Sequence, residues 1–142
     1  MDDPPEKIAR GAAIGVCMGI LPTFGIGGFI AFGVAFLLKA NKAAAVIGTF
    51  IMNPVTSAFF WSMSMVAGSL VLGENYNHMV SKFKGESFLA GAGWVYMVFL
   101  TGNVLITALF TVSSYYITKR AVLRHRKVKA ERRLRRFKEM GL

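Results

Sequence analysis

The residues best suited to chemistry lie at two interruptions of apolar sequence, and the chemistry they favour is anion binding. They are Pro22, Thr23, Gly25, Gly27 and Gly28 at the first interruption and Asn53, Pro54 and Thr56 at the second. A helix that begins after an interruption presents unpaired N–H groups and the positive end of its dipole, which attract a phosphate. Arg10 precedes the first interruption and adds a guanidinium that can pair with a phosphate. These residues predict a site for an anionic headgroup.

A simpler interpretation of the same residues stays open. Asn53 and Thr56 can cap their own helix, because asparagine is a preferred N-cap and proline a preferred first residue. Arg10 can equally be an interfacial anchor. Under this interpretation the interruptions are turns in a packed bundle and bind nothing.

The sequence argues against catalysis. Residues 11–38, 43–73 and 87–118 contain no Asp, Glu, Lys or Arg, and His78 and His125 are far apart in the chain. Neither a carboxylate pair nor a metal cluster can form inside these blocks, and the serines there lack a base to activate them. We therefore expect no catalytic residue, no metal and no cofactor.

The elements that position these residues are predicted to be membrane helices. The chain is 54% apolar and 17% charged, with a mean hydropathy of +0.50, which is too apolar for a soluble domain. Each of the three uncharged blocks is longer than the roughly 20 residues that cross a bilayer. We predict an all-α integral membrane protein with a membrane domain over residues 1–118.

Within that domain, the predicted segments differ in their continuity. Residues 8–38 are expected to form a broken or re-entrant helical hairpin, because a proline and three glycines interrupt them; a single kinked span is the alternative. Residues 43–73 are predicted to be a helix broken at Asn53-Pro54. Residues 87–118 contain no proline and are predicted to span the membrane. One or two full spans result.

Gly11, Gly15 and Gly19 recur every four residues and leave one face of the first arm nearly free of side chains. Such a face allows close helix packing. The stripe predicts a contact either within the monomer or between copies in a homo-oligomer. Residues 45–48 weakly echo residues 12–15, a pattern that a duplicated broken helix would produce.

Residues 119–142 are predicted to form a basic amphipathic tail helix. This segment contains eleven of the seventeen Lys and Arg residues and two acids, a net charge of +9 (11 − 2). We expect it to bind anionic membrane lipid and not nucleic acid, because little aromatic sequence accompanies the charge. The residues assigned to this surface are Lys119, Arg120, Arg124, Arg126, Lys127, Lys129, Arg132, Arg133, Arg135 and Arg136. By the positive-inside rule the tail is expected to be cytoplasmic.

The chain resembles the uncharacterised bacterial membrane family DUF2062. The resemblance rests on a motif that continues from Ala9-Arg10-Gly11 through Leu21-Pro22 and Phe24-Gly25 to Asn41, Gly48-Thr49 and Asn53-Pro54-Val55-Thr56, with Gly102, Tyr116 and Arg120 near its end. It implies a bacterial inner-membrane location and a non-catalytic role. Some relatives join this domain to glycosyltransferases, which implies a link to lipid-linked sugar metabolism.

Together these observations predict a small multi-pass protein that binds or translocates an anionic lipid or polyprenyl-phosphate intermediate. The alternative is a non-transporting scaffold or accessory subunit with a protein partner, in which the glycine stripe and the tail matter more than the interruptions.

Overall fold

The structure is a computed structural model that describes residues 3–23, 25–75, 77–78, 81 and 88–139. The predicted all-α class is confirmed. The helices of eight or more residues in the described part are α1 (Pro5–Ile20), α2 (Gly27–Leu37), α3 (Lys42–Thr49), α4 (Pro54–Leu72) and α5 (Phe88–Glu139). The two interruptions separate α1 from α2 and α3 from α4.

The chain folds back on itself at the first interruption. Helix α1 ends because Leu21 precedes Pro22, and a residue before proline disfavours helical geometry; its backbone is extended, with φ −60° and ψ 143°. Helix α2 then packs against α1, and the amide N–H of Asn41 donates to the carbonyl of Lys7 over 3.0 Å. Residues 5–41 therefore form a hairpin, not one kinked rod.

Helix α3 starts a second pass alongside α1. Asn41 caps α3 by accepting a hydrogen bond from Ala44 N–H over 2.7 Å. A side chain at Gly11 would overlap the carbonyl of Asn41, and one at Gly15 would overlap that of Ala45. Because both contact positions advance by four residues in the same direction, α1 and α3 run parallel. The α1 glycines thus face a helix of the same chain.

Helices α4 and α5 form a second close crossing, with opposite directions. A side chain at Gly102 would overlap the carbonyl of Ser64, and one at Gly68 would overlap that of Val98. Further along, the rings of Phe60 and Phe110 meet edge to face with centroids 5.0 Å apart. Beside these aromatics lies a core cluster with Val16, Ile20 and Ile106. This cluster joins α1 to the α4–α5 pair.

Contacts at both ends of the hairpin fix its position along helix α5. Lys119 pairs with Glu6 over 3.3 Å, whereas Asn103 bonds the carbonyl of Ile20 over 3.2 Å. The open end of the hairpin therefore lies beside the start of the basic tail. The hairpin tip lies at the level of Asn103, and α5 continues for about 13 Å of helix from there to Trp94. Helices α1, α2 and α3 therefore lie beside only part of the apolar length of α5.

The basic segment is a direct continuation of the last apolar helix. Helix α5 has 52 residues, or about 78 Å of helix, of which residues 119–139 account for about 31 Å. The sequence predicted the helical tail; the structure shows no break between it and the apolar segment. Phe137 is an apolar residue of the predicted amphipathic tail, and its side chain lies outside the described part of the chain.

Helices α4 and α5 are long and apolar enough to cross a membrane. In the most apolar 18-residue stretch of each helix, only 17% of α4 and 28% of α5 is buried within the chain. The core helix of a soluble protein would be mostly buried, so the exposed apolar surface of both helices is consistent with the predicted membrane class.

Candidate functional site

The second interruption uses its polar groups to cap its own helix. The Asn53 side chain accepts from the N–H groups of Val55 and Thr56 over 3.0 and 3.1 Å. The Thr56 hydroxyl accepts from the N–H of Asn53 over 3.0 Å and donates to the carbonyl of Ile51 over 2.6 Å. The predicted N-cap at Asn53 with Pro54 first in the helix is confirmed. A ligand here would have to displace these bonds.

The first interruption is held by a different set of contacts. The Thr23 hydroxyl donates to the carbonyl of Met18 over 3.2 Å. Gly25 has φ +91°, a conformation that side chains other than hydrogen disfavour. Thr23, Gly25, Gly27 and Gly28 line a cavity of about 220 Å³ together with Met18, Gly19, Thr49, Phe50 and Met52. This cavity lies where α1 and α3 both end.

Arg10 lies in a separate and larger groove. The groove has a volume of about 490 Å³ and is open along one side, between α1, α2 and α5. Its lining residues are Arg10, Ala13, Ile14, Cys17, Met18, Val34, Leu38, Thr111, Val112, Tyr115 and Tyr116. Among these residues the one ionised group is Arg10. The groove is thus an apolar slot with a cation near its tail-side end.

The structure does not bring the predicted headgroup residues into one site. Arg10 lies one residue before Gly11, which contacts Asn41 at the open end of the hairpin. The two interruptions lie near Ile20, ten residues along α1, or about 15 Å of helix. Arg10 is therefore separate from both interruptions, and Asn53 does not line the cavity at the first interruption.

Asn103 is a buried polar residue of this region that the sequence analysis did not single out. Its side chain is fully buried, and its amide donates to the Ile20 carbonyl and to the Ser64 hydroxyl, each over 3.2 Å. It thereby caps the C-terminus of α1, whose last carbonyls have no partner inside the helix. The signal in the sequence was an asparagine in an uncharged span directly after Gly102.

Charged groups close the open end of the hairpin. The Asp3 carboxylate accepts from the Lys7 ammonium over 2.8 Å and from the Asn41 amide over 2.7 Å. These hydrogen bonds, the one from Lys7 first, hold the pKa of Asp3 below its ordinary value. A backbone hydrogen bond and then the Lys119 ammonium lower the pKa of Glu6. Arg126 donates to the backbone carbonyl of Asp3.

The basic side chains described in the tail surround the helix. The side chains of residues 123–136 are all exposed. Arg126, Lys129, Ala130 and Arg133 line an open surface groove of about 310 Å³. In the described residues no group of three or more His, Cys, Asp or Glu side chains could hold a metal ion.

Comparison with known proteins identifies the family. The family model described as an uncharacterized protein conserved in bacteria (DUF2062) matches residues 1–131 of the 142. The chain belongs to this family. No curated protein and no solved structure matches the chain. The DUF2062 match includes the Arg10 groove, both interruptions and the first part of the basic tail.

Proposed function

We propose that this chain is a membrane protein that binds an anionic lipid, with the headgroup at Arg10 and an apolar chain in the groove between α1, α2 and α5. The observation that carries the proposal is the composition of the groove. Its walls are mostly apolar, and its single ionised lining residue, among those described, lies at one end. A molecule with one anionic end and a hydrocarbon body matches that arrangement.

Exposed apolar side chains support a membrane location. Those with 67% to 84% of their surface exposed include Phe29, Leu37, Phe50, Val55, Leu70, Leu89 and Ile117. They occur on or next to every helix except α1, and so many exposed large apolar side chains are unfavourable in water. In hydrocarbon the same surface carries no such penalty.

The depth of Arg10 supports a headgroup there. Tyr115 and Tyr116 line the groove together with Arg10, and tyrosines are enriched at the membrane–water interface. Lys119 and Glu6 pair on the tail side of this level. Arg10 would then lie where lipid phosphates lie, and the groove would extend from it toward the acyl chains.

The distribution of basic residues supports the predicted orientation. Lys7, Lys39 and Lys42 lie at the open end of the hairpin, beside the start of the tail. By the positive-inside rule this end would be cytoplasmic, which gives a multi-pass protein with a cytoplasmic C-terminus. The groove would then receive lipid from the cytoplasmic leaflet.

The proposed activity is lipid binding, and the proposed site is the Arg10 groove instead of the two interruptions. The polar groups of Asn53 and Thr56 are engaged in their own cap. Two kinds of lipid share the required chemistry, an anionic phospholipid and a polyprenyl phosphate, because both join a phosphate to hydrocarbon. The scaffold alternative loses one of its surfaces, because the α1 glycines contact α3 of the same chain.

Cys17 provides a direct test, because it is the single cysteine of the chain and lines the groove. The full chain is placed in phosphatidylcholine nanodiscs, alone or with phosphatidylglycerol or a polyprenyl phosphate. The rate of Cys17 alkylation by N-ethylmaleimide is then measured. We expect the anionic lipid that binds to slow alkylation, because it covers the thiol.

Variants of Arg10 assign the effect to the headgroup. Arg10→Ala should weaken the protection about tenfold or more in lipid concentration, the order expected for a lost charge-assisted hydrogen bond, and Arg10→Lys should retain part of it. Lys39→Ala is the matched control, since it removes an exposed charge at the same end of the hairpin that lines no part of the groove. Equal alkylation rates in all lipid compositions, or equal effects of both alanine variants, would reject the proposal.

A further inference from the structure

A row of polar side chains continues from the groove into the buried interface of α5. Asn103, Thr107 and Thr111 recur every four residues and so share one side of the helix. Asn103 contacts Ile20 of α1, and Thr111 lines the groove with Ala13 and Cys17. We call these three residues the polar seam. It connects the groove with the hairpin tip.

The oxygen atoms of the polar seam have no hydrogen-bond partner in the described part of the chain. These atoms are Oδ1 of Asn103 and the hydroxyls of Thr107 and Thr111. Asn103 is 0% exposed and Thr107 is 4% exposed. Buried polar groups are nearly always hydrogen-bonded, so three unpartnered oxygens in a row call for a physical cause.

Other hydroxyls on the same helix behave differently. Thr101 donates to the carbonyl of Met97 over 2.9 Å, and Ser113 donates to that of Leu109 over 2.8 Å. Such bonds to the preceding turn are the usual way to satisfy a hydroxyl in an apolar helix. Thr107 and Thr111 do not make such bonds among the described residues, so their buried hydroxyls still lack a partner.

The chemistry of the seam selects a small neutral guest. The orientation of the Asn103 amide is fixed because its Nδ2 donates to the Ile20 carbonyl, so Oδ1 must accept from the guest. A cation would be uncompensated, since residues 87–118 contain no carboxylate. Side chains four residues apart on a helix are separated by about 5–6 Å, a gap that one water molecule can bridge.

We infer that the polar seam holds a short file of water molecules that enters from the groove at Thr111 and ends at Asn103. Beyond Asn103 the path is closed by the contact with Ser64 and by the close crossing at Gly68 and Gly102. The result is an aqueous path with one entrance, extending from the tail side to the level of the hairpin tip. A lipid chain in the groove would cover this entrance at Thr111, so the path opens to the tail side only when the groove is free of lipid.

Silver-ion reactivity of an introduced cysteine tests the inference. In a Cys17→Ala background in lipid nanodiscs, Thr107→Cys is compared with Ala108→Cys, a neighbouring position at nearly the same depth whose side chain is exposed on the surface of the chain. A thiol ionises only where water reaches it, so we expect position 107 to react about tenfold faster or more. Equal rates, or a faster reaction at position 108, would overturn the inference.

Stability measurements provide a second and independent test. In a dry seam, Thr107→Val would remove an unsatisfied hydroxyl and raise the unfolding temperature. In a hydrated seam it breaks the water file and should lower that temperature, whereas Thr107→Ser keeps the hydroxyl and should lower it less. A Thr107→Val variant that is more stable than the wild type would contradict the water file, whatever lipid the groove binds.

Discussion

The two interruptions face the same structural problem and satisfy it with different residues. Each leaves backbone groups at a helix end without partners inside the helix. At the second, Asn53 and Thr56 supply the partners from within five residues. At the first, the last carbonyl of α1 is bonded by Asn103, 83 residues further along the chain. One cap is local, and the other requires the assembled fold.

This difference has a consequence for stability. The second interruption should remain capped whenever α4 forms. The first should be secure only when α5 is packed against α1 and α4. The parallel crossing of α1 and α3 links the two interruptions, because Gly15 and Gly48 meet there and Thr49 lies beside Gly19.

The largest effect is expected at this shared crossing. Gly15→Val would place a side chain against the carbonyl of Ala45, which is backbone and cannot rotate away. We expect a loss of about 3 kcal/mol of unfolding free energy, the upper part of the range for overpacking, with both interruptions displaced. The measurement is thermal unfolding in nanodiscs. Gly33→Val is the matched control, because a side chain at Gly33 meets no atom within 4 Å; an equal loss there would contradict the crossing as the cause.

A second prediction separates the two interruptions. Asn103→Leu leaves the Ile20 carbonyl without its donor, which should cost about 1–3 kcal/mol, and should expose the first interruption while the second stays closed. Cysteine reactivity at Thr23 and at Ser57, measured in separate Cys17→Ala variants, reports the two places. Val104→Leu, at an exposed neighbouring position, is the control. Equal exposure of both interruptions would show that their caps are not independent.

The contrast explains what could be predicted from the sequence. The cap at Asn53 and Pro54 was predicted because all of its donors and acceptors lie within a few residues. The hairpin was predicted in outline, but its cap at Asn103 was not, since no local rule pairs residues 20 and 103. The glycine stripe predicted close packing but did not identify the partner helix. Three glycines indicate that another helix can approach closely, and they do not indicate which helix it is.

In the candidate site too, the local feature was predicted and the contacts between distant residues were not. Arg10 was identified by its charge next to an apolar block. Its groove was not predicted, because the walls come from three helices that only the tertiary fold brings together. Thr107 and Thr111 gave no signal in the sequence, since threonines in apolar helices usually bond the preceding turn and carry no further meaning.

A third prediction tests the local cap. Asn53→Ala should destabilise the protein by about 1 kcal/mol, the typical value for a lost N-cap, and the damage should be confined to the first turn of α4. Asn53→Ser retains an accepting oxygen and should restore most of the loss. Amide hydrogen exchange at Val55 and Thr56, which donate to Asn53, measures the effect. Faster exchange at Ile20 and Leu21 as well would indicate that the second interruption is not self-contained.

The smallest effect is expected from acid, and it should spare both interruptions. The pKa of Asp3 is lowered by hydrogen bonds from Lys7 and Asn41, so its contribution to stability is present at neutral pH and is lost as the pH falls below the ordinary carboxyl range. Residues 21–26 and 50–53 contain no titratable side chain. Acid should therefore loosen the open end of the hairpin and leave its tip unchanged.

The protection factor of the Asn41 amide, which donates to the Lys7 carbonyl, reports the open end, and that of Val55 reports the second interruption. Between neutral pH and pH values below the carboxyl range, we expect protection to fall at Asn41 alone. Asp3→Asn should remove most of that pH dependence. Glu6→Gln is the control, because Glu6 also has a lowered pKa but bonds Lys119 instead of Asn41. If Glu6→Gln removed the dependence as completely, the closure would depend on the contact with α5 and not on the Asp3 carboxylate.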